Sequence, residues 1–482
     1  MVVGIEMEEH VTLPLWLAAL LVLLAAWAAL DRLLIPSVRW FLRRRLNLFV
    51  EEIGRRLHLE IHPFSLTKRQ VLIDRLMYDP QVLETAGACA RADNVPRDVV
   101  MAEVERYARE IVPSFNAYAY FRIGYWLARK IARILYRVRV DVTDEAGLSR
   151  VHPKSSVVFV MNHRSNMDYI LVAYLAATRT ALSYAVGEWA RIWPLQTLIR
   201  SLGAYFIRRN SGSPLYRLVL ERYVHMATGS GVVQAVYPEG GLTRDGALRP
   251  PKLGLLDYMV RAFQPDGERD LVFIPVGINY DRTLEDRSLL AELDPRARSK
   301  SLPYVVGTSL RFLLGNLYRM ARGRWYRFGY ACVNFGSPVS MREYCRPRGI
   351  DFRSMDREER FRRVEALARY LMGEVGKVIP VLPVSLVATA FLRNGDHRLS
   401  GIEVKAEVLR LIGILTAAGA RVHIPRKDQE YAVDVGLRML TLRRLVIEED
   451  GLFWARTEEL PLLRYYANSI GHLLPSSNLH AE

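Results

Sequence analysis

Apolar and polar positions divide the chain into four stretches of different rhythm. Residues 11–30 carry no charged side chain, and a helix of that length spans roughly 30 Å, about one hydrocarbon core. From residue 46 to about 137 the pattern is mostly helical, broken at Pro63, Pro80, Pro96 and Pro113, where the missing N–H ends or kinks a helix. Residues 138–335 then alternate short β-branched or bulky runs with helical stretches, the pattern of an α/β layer fold. The predicted strands are 138–142, 157–161, 183–186, 204–207, 232–237, 271–278 and 326–333. Past about residue 356 the helical period returns, with long stretches at 361–378, 402–418 and 431–447. The expectation is an α/β fold with a mixed or mostly parallel sheet flanked by helices. Its organisation would be a membrane anchor at 1–35, a helical N-terminal region at 36–137, an α/β domain at 138–340 and a helical C-terminal region at 341–482.

Charge refines the reading of the ends. Glu6, Glu8 and Glu9, with no Lys or Arg, precede the apolar segment, which favours an anchor over a cleaved signal peptide. Arg32, Arg39, Arg43, Arg44 and Arg45 follow it, and by the positive-inside rule they hold the body in the cytoplasm. The expected location is the inner or cytoplasmic membrane, single-pass or peripheral. Across the chain 67 Lys and Arg stand against 51 Asp and Glu, a balance suited to an anionic lipid surface or anionic substrates. Nucleic acid is disfavoured, because there is no zinc-finger spacing, aromatic-rich single-strand motif or basic arm. Residues 115–136 mix aromatics with cations, as a helix at the headgroup level or an amphipathic helix packed on a core would. Cys89, Cys332 and Cys345 form no metal or redox spacing and read as reduced thiols. No metal set is organised in the sequence.

Candidate chemistry gathers in VVFVMNHRSNMDYI, residues 157–170. An apolar run ends at His163, and Asp168 follows five residues later. On one continuous helix the two would be rotated about 140° apart, so contact requires a strand-to-helix turn between them. The pair suits general base catalysis, with the imidazole taking a proton from a hydroxyl and the carboxylate fixing its tautomer. It also suits plain structure, since Ser165 and Asp168 have capping-box spacing. With 10 histidines in 482 residues, chance alone gives roughly 0.4 pairs of this spacing. A second one, His423 and Asp428, lies around Pro425 and reads as a structural decoy.

The company of the first pair separates them. Arg208 and Arg209 end the apolar run AYFI, where guanidinium groups could hold a phosphate bidentately. Glu239, Gly240 and Gly241 follow another buried run, the glycines permitting a tight turn or close approach to a ligand, and Glu239 could orient an arginine or a substrate hydroxyl.

HRSNMDY, FIRR, EGG with PPKLGLL, and PVGINYDR, in this order, resemble the glycerolipid acyltransferases, most closely their glycerol-3-phosphate and dihydroxyacetone-phosphate branch. Residues 378–392 and 465–474 also resemble the bacterial and mitochondrial glycerol-3-phosphate enzymes. The resemblance implies His163 and Asp168 as catalytic groups, with Arg208, Arg209, Glu239, Gly240, Gly241, Arg244 and Lys252 as the substrate site. Leu242 departs from the pattern by replacing an arginine. Pro275, Val276 and Gly277 would belong to an acyl-donor site. The implied reaction transfers an acyl chain from coenzyme A or acyl carrier protein to the sn-1 hydroxyl of glycerol 3-phosphate, with no further cofactor. Dihydroxyacetone phosphate or a lysophospholipid as acceptor, and a catalytically silent lipid-binding scaffold, stay open as alternatives.

Overall fold

A computed structural model describes residues 67–116, 120, 124–176, 182–186, 195–208, 211–293 and 328–475. The expected anchor and the arginines after it lie outside the described residues, as does Arg209. Helices α1 (Arg69–Met77), α2 (Pro80–Ala92) and α3 (Arg97–Ile111) come first. Asp79 starts α2 by accepting from the backbone N–H groups of Gln81 and Val82, which would otherwise lack helical partners. Helix α4 (Tyr125–Leu135) leads into the sheet.

Seven strands form where the β-branched runs stand: β1 (Arg137–Val142), β2 (Ser156–Met161), β3 (Ser183–Val186), β4 (Ala204–Phe206), β5 (Gln234–Val236), β6 (Leu271–Tyr280) and β7 (Tyr330–Phe335). A two-residue strand, β8 (Val339–Ser340), pairs with β6 and left no signal in the sequence. The order across the sheet is β1-β7-β6-β2-β5-β3-β4. From β6 to β4 all neighbours are parallel. Strand β7 runs antiparallel to β6 and parallel to β1, so the sheet is mixed.

Strand β2 shows why both faces are covered. Val158 and Val160 pack in one cluster with α7 (Pro214–Gly229), α8 (Gly254–Ala262) and α10 (Arg357–Val378), through residues such as Val219, Met259 and Leu367. The alternate Val157, Phe159 and Met161 belong to the opposite cluster, with Ala132 of α4 and Leu171 of α5 (Met167–Ala176). A period of two with apolar residues on both phases is what a sheet buried on both faces requires. Helix α6 (Leu195–Ser201) leads into β4, and α9 (Asp286–Ala291) follows β6.

Close approach holds the end of α10 against β6. A Cβ on Gly277 would lie 2.4 Å from the Val378 carbonyl oxygen, so a side chain there would lift the helix end away. The side chains of Asn279 and Asn334 donate to the Pro380 and Val378 carbonyls at 2.9 and 3.1 Å. From Val381 onward α11 (Pro383–Asn394), α12 (Gly401–Ala417), α13 (Gln429–Leu442) and α14 (Leu460–Gly471) enclose a second core. This helical region also carries a small antiparallel sheet of β9 (Leu399–Ser400), β10 (Val446–Glu449) and β11 (Leu452–Ala455).

Candidate active site

The turn after β2 is built by a side chain that imitates a peptide. Asn162 donates to the Ile278 carbonyl at 2.9 Å and accepts from the Ile278 N–H at 2.8 Å, continuing the pairing with β6 while the main chain departs. His163 therefore sits at the strand end, buried. Its Nδ1 lies 2.9 Å from Asp168 Oδ2. That oxygen also accepts from the backbone N–H of Arg164 at 2.7 Å and of Ser165 at 3.1 Å, while the Tyr280 hydroxyl donates to Oδ1 at 2.6 Å. An ionised carboxylate only accepts, so the network assigns the proton to Nδ1 and leaves a lone pair on Nε2. The capping and catalytic readings meet in one carboxylate, because Ser165 Oγ accepts in turn from the Met167 N–H at 3.1 Å.

Two tyrosines fix the imidazole plane. Tyr237 stacks on it with centroids 4.2 Å apart and planes 27° apart, and Tyr169 meets it edge-on with its hydroxyl 3.3 Å from Nε2.

Glu239 has a different place from the one expected. Its Oε1 accepts from the His163 N–H at 2.8 Å and its Oε2 from the Arg249 N–H at 3.0 Å. Both oxygens are thus turned to the protein's own backbone, tying the turn after β5 to the turn after β2. Burial raises the Glu239 pKa to about 7, against the lowering effect of the two N–H donors.

A cavity of about 310 Å³ opens on His163 and is lined by Arg208, Arg217, Tyr237, Gly240, Gly241 and Lys252 among others. Arg208 is held from α3: Glu110 accepts from its Nε at 2.9 Å and Nη2 at 2.7 Å, and the rings of Tyr107 and Tyr216 face its guanidinium carbon at 5.2 and 5.1 Å. The Lys252 stem lies over Gly240, whose φ is +67° and whose added Cβ would meet Lys252 Cδ at 2.6 Å. Of the cations implied for the substrate site, Arg208 and Lys252 are thus brought together at this cavity. Arg244 does not line this cavity; it pairs with Glu292 at 3.2 Å and is half exposed. Arg217, on the exposed side of α7, lines it instead.

On the other side of Tyr169 lies a cavity of about 400 Å³, almost wholly apolar. Leu127, Ala128 and Ile131 of α4, Met167 and Ile170 of α5, and Leu284 contribute to its wall. Tyr169 lines both cavities.

Residues 139–279 match the family model described as acyltransferase, and residues 314–481 match that of the glycerol-3-phosphate acyltransferase C-terminal region. The glycerol-3-phosphate acyltransferase of Xylella fastidiosa strain M23 is 26% identical over 451 residues, covering 90% of this chain and 50% of the relative. Those of Pseudoalteromonas atlantica and Actinobacillus succinogenes are 26% and 27% identical, covering 85% and 86% of this chain. The chain is similar to glycerol-3-phosphate acyltransferases along most of its length. It spans about half the length of the curated relatives it matches. A solved structure, the 1-acyl-sn-glycerophosphate acyltransferase of Thermotoga maritima, is similar over 64% of this chain and 97% of its own, at 17% identity and a TM-score of 0.30.

Pro275, Val276 and Gly277 lie in the interior of β6 and line neither cavity beside His163. Their placement is one of packing, with Val276 in the sheet core and Gly277 under the end of α10. His423 and Asp428 serve different neighbours, as expected. His423 packs edge-on to Tyr330 at 4.8 Å, and Asp428 caps α13 by accepting from the Tyr431 N–H. Tyr169, Tyr237, Tyr280, Asn162 and Glu110 were missed in the sequence. Tyr280 stands inside the PVGINYDR block and Tyr169 beside Asp168, so their positions were visible while their contacts were not. Glu110 lies 98 residues from Arg208 and carried no signal.

Proposed function

We propose that the protein transfers an acyl chain from a coenzyme A or acyl-carrier-protein thioester to the sn-1 hydroxyl of glycerol 3-phosphate, releasing lysophosphatidate and the thiol. The observation that carries this reading is the placement of His163 at a cavity lined by Arg208 and Lys252, one residue away from an apolar cavity. A phosphomonoester suits paired guanidinium and ammonium groups, and an acyl chain suits an apolar wall. The acceptor hydroxyl gives its proton to His163 Nε2 as its oxygen bonds to the thioester carbonyl carbon. Asp168 stabilises the imidazolium through Nδ1–H. When the C–S bond breaks, the imidazolium protonates the departing thiolate. General base action supplies about 10²–10⁴-fold, leaving positioning and charge stabilisation to supply the rest. The step as drawn uses protein groups and the two substrates alone.

A membrane surface, with the body facing the cytoplasm, completes the proposal. Residues 11–30 would anchor the chain; among the described residues no helix is long and apolar enough to cross a membrane. Helix α4 supports a surface contact near the site. Its Trp126 is 56% exposed with Lys130 over the ring, Arg129 and Arg133 are exposed beside it, and its other face lines the apolar cavity. No carboxylate occurs between residues 111 and 140.

A turnover assay with labelled acyl donor across acceptors tests the reading. Glycerol 3-phosphate is expected to be the preferred acceptor, with dihydroxyacetone phosphate and lysophospholipids competing poorly. Arg208→Ala is expected to raise the acceptor KM by the equivalent of about 1.5–3 kcal/mol, the loss of a charge-assisted hydrogen bond, with little change in donor KM. A raised donor KM at unchanged acceptor KM would assign these cations to the carrier's phosphates instead.

A further inference from the structure

We propose that the Tyr169 hydroxyl is a placeholder for the acceptor hydroxyl, occupying the His163 base until the acceptor displaces it and so keeping water from that position. This rests on the acyl-transfer reading above. Tyr169 stands in the first turn of α5, and its hydroxyl oxygen lies 3.3 Å from His163 Nε2. Because Nδ1–H is directed at Asp168, the hydroxyl is the donor and the Nε2 lone pair the acceptor. The atom that must receive the acceptor's proton is therefore engaged by a side chain of the protein itself.

The surrounding rings hold Tyr169 in that position. It packs edge-on against Tyr237 at 5.1 Å and against His163 at 5.2 Å, and tilted against Tyr184 at 5.7 Å. The same side chain stands between the cationic cavity and the apolar one, while His163 lines only the first. A hydroxyl arriving from one cavity and a thioester carbonyl from the other can meet at Nε2 only after Tyr169 has yielded its place.

Such an arrangement answers a chemical hazard. A general base beside a bound thioester can activate water as well as an alcohol. The proton would pass to Nε2, the water oxygen would bond to the carbonyl carbon, and the C–S bond would break. The thiolate would then take the proton from the imidazolium, leaving a free fatty acid and a thiol. A phenol hydrogen-bonded to Nε2 removes the lone pair that this reaction needs. An acceptor fixed by its phosphate in the cationic cavity presents its hydroxyl at high effective concentration and can displace the phenol, whereas water has no such hold.

The test measures thiol and free fatty acid released from acyl-coenzyme A by the full-length protein in detergent, with and without glycerol 3-phosphate. Tyr169→Phe keeps the ring and removes the hydroxyl. Acceptor-independent release is expected to rise about tenfold or more, to return to background in the Tyr169→Phe, His163→Ala double variant, and to be accompanied by a lower acceptor KM. Tyr169→Leu is expected to raise hydrolysis in the same way, which guards against a fault peculiar to one variant. Release no greater than wild type while transfer persists would overturn the proposal. So would loss of transfer in a folded Tyr169→Phe protein, which would place the hydroxyl in the transfer step itself. Absence of acceptor-dependent release from the wild-type protein would remove the acyl-transfer reading instead, and this proposal with it.

Discussion

At the residue scale, Asp168 is defined by what it accepts. Three donors besides the imidazole converge on its two oxygens, and only the Tyr280 hydroxyl can be removed without altering the turn. Tyr280→Phe leaves Asp168 Oδ1 without its side-chain donor, so negative charge is less dispersed and the imidazolium better stabilised. The measured kcat is expected to fall with acceptor KM little changed; an unchanged kcat would make Tyr280 a packing residue only. Glu239 gives a second test. Burial raises its pKa to about 7 and that of Asp281 to about 6. Both groups then hold protons in the folded state that the unfolded chain has released, so stability falls as pH rises from the usual carboxylate range towards 7. Unfolding midpoints at about pH 5 and about pH 7.5 should therefore differ, and the difference should shrink in Glu239→Gln. What the sequence showed of this site was a candidate base and its partner, His163 and Asp168, because the blocks that follow them set this pair apart from His423 and Asp428, which have the same spacing. Their supporting tyrosines were not legible, since an aromatic in an apolar block reads first as core.

At the scale of elements, β2 and β6 were legible because strands buried on both faces need apolar, largely β-branched residues at consecutive positions, as in 157–161 and 271–278. Strand β8 was not, because two residues have no period. The helical N-terminal region has a function its periodicity could not reveal: Glu110, near the end of α3, sets the orientation of Arg208 at the end of β4. Glu110→Ala is accordingly expected to raise the acceptor KM in the same direction as Arg208→Ala, and the double variant to add little to either single change. Kinetics across this cycle check it, since additive losses would mean that the two side chains act separately. Arg244 is the contrasting case. Its motif position suggested the phosphate site, yet the local turn directs it to Glu292, and Arg244→Ala is expected to leave the acceptor KM close to wild type.

At the scale of the whole molecule, the C-terminal helices are joined to the turn that carries His163 rather than appended to it. Arg164, the residue after His163, donates to the Gly246 carbonyl and lies under the Tyr465 ring at 4.9 Å. Ser469 accepts from Asn279 at 3.2 Å, and Tyr466 accepts from the Thr283 N–H at 3.2 Å. Helix α14 thus reaches the strand end that supports the site. Gly277→Ala, which drives a methyl into the Val378 carbonyl, is expected to displace the start of this C-terminal region and to lower both thermal midpoint and kcat. Overpacking of this kind typically costs about 1–3 kcal/mol, and an unchanged thermal midpoint would show that the end of α10 can move aside. Loss of residues 1–35 should weaken membrane association while sparing turnover in detergent, because they lie far in sequence from the blocks that hold His163 and Arg208. The alternation of layers was readable at this scale. The contact between the turn that carries His163 and α14 was not, since it joins residues some 300 positions apart in the chain.

The central claim is that His163 acts as the base in acyl transfer to glycerol 3-phosphate, and direct measurement of lysophosphatidate formation by wild type and His163→Ala tests it most closely. With labelled acyl donor and full-length protein in detergent, wild type should form lysophosphatidate. His163→Ala should form none above the uncatalysed rate while still binding glycerol 3-phosphate, and His423→Ala should match wild type. Turnover by His163→Ala near the wild-type rate would contradict the account.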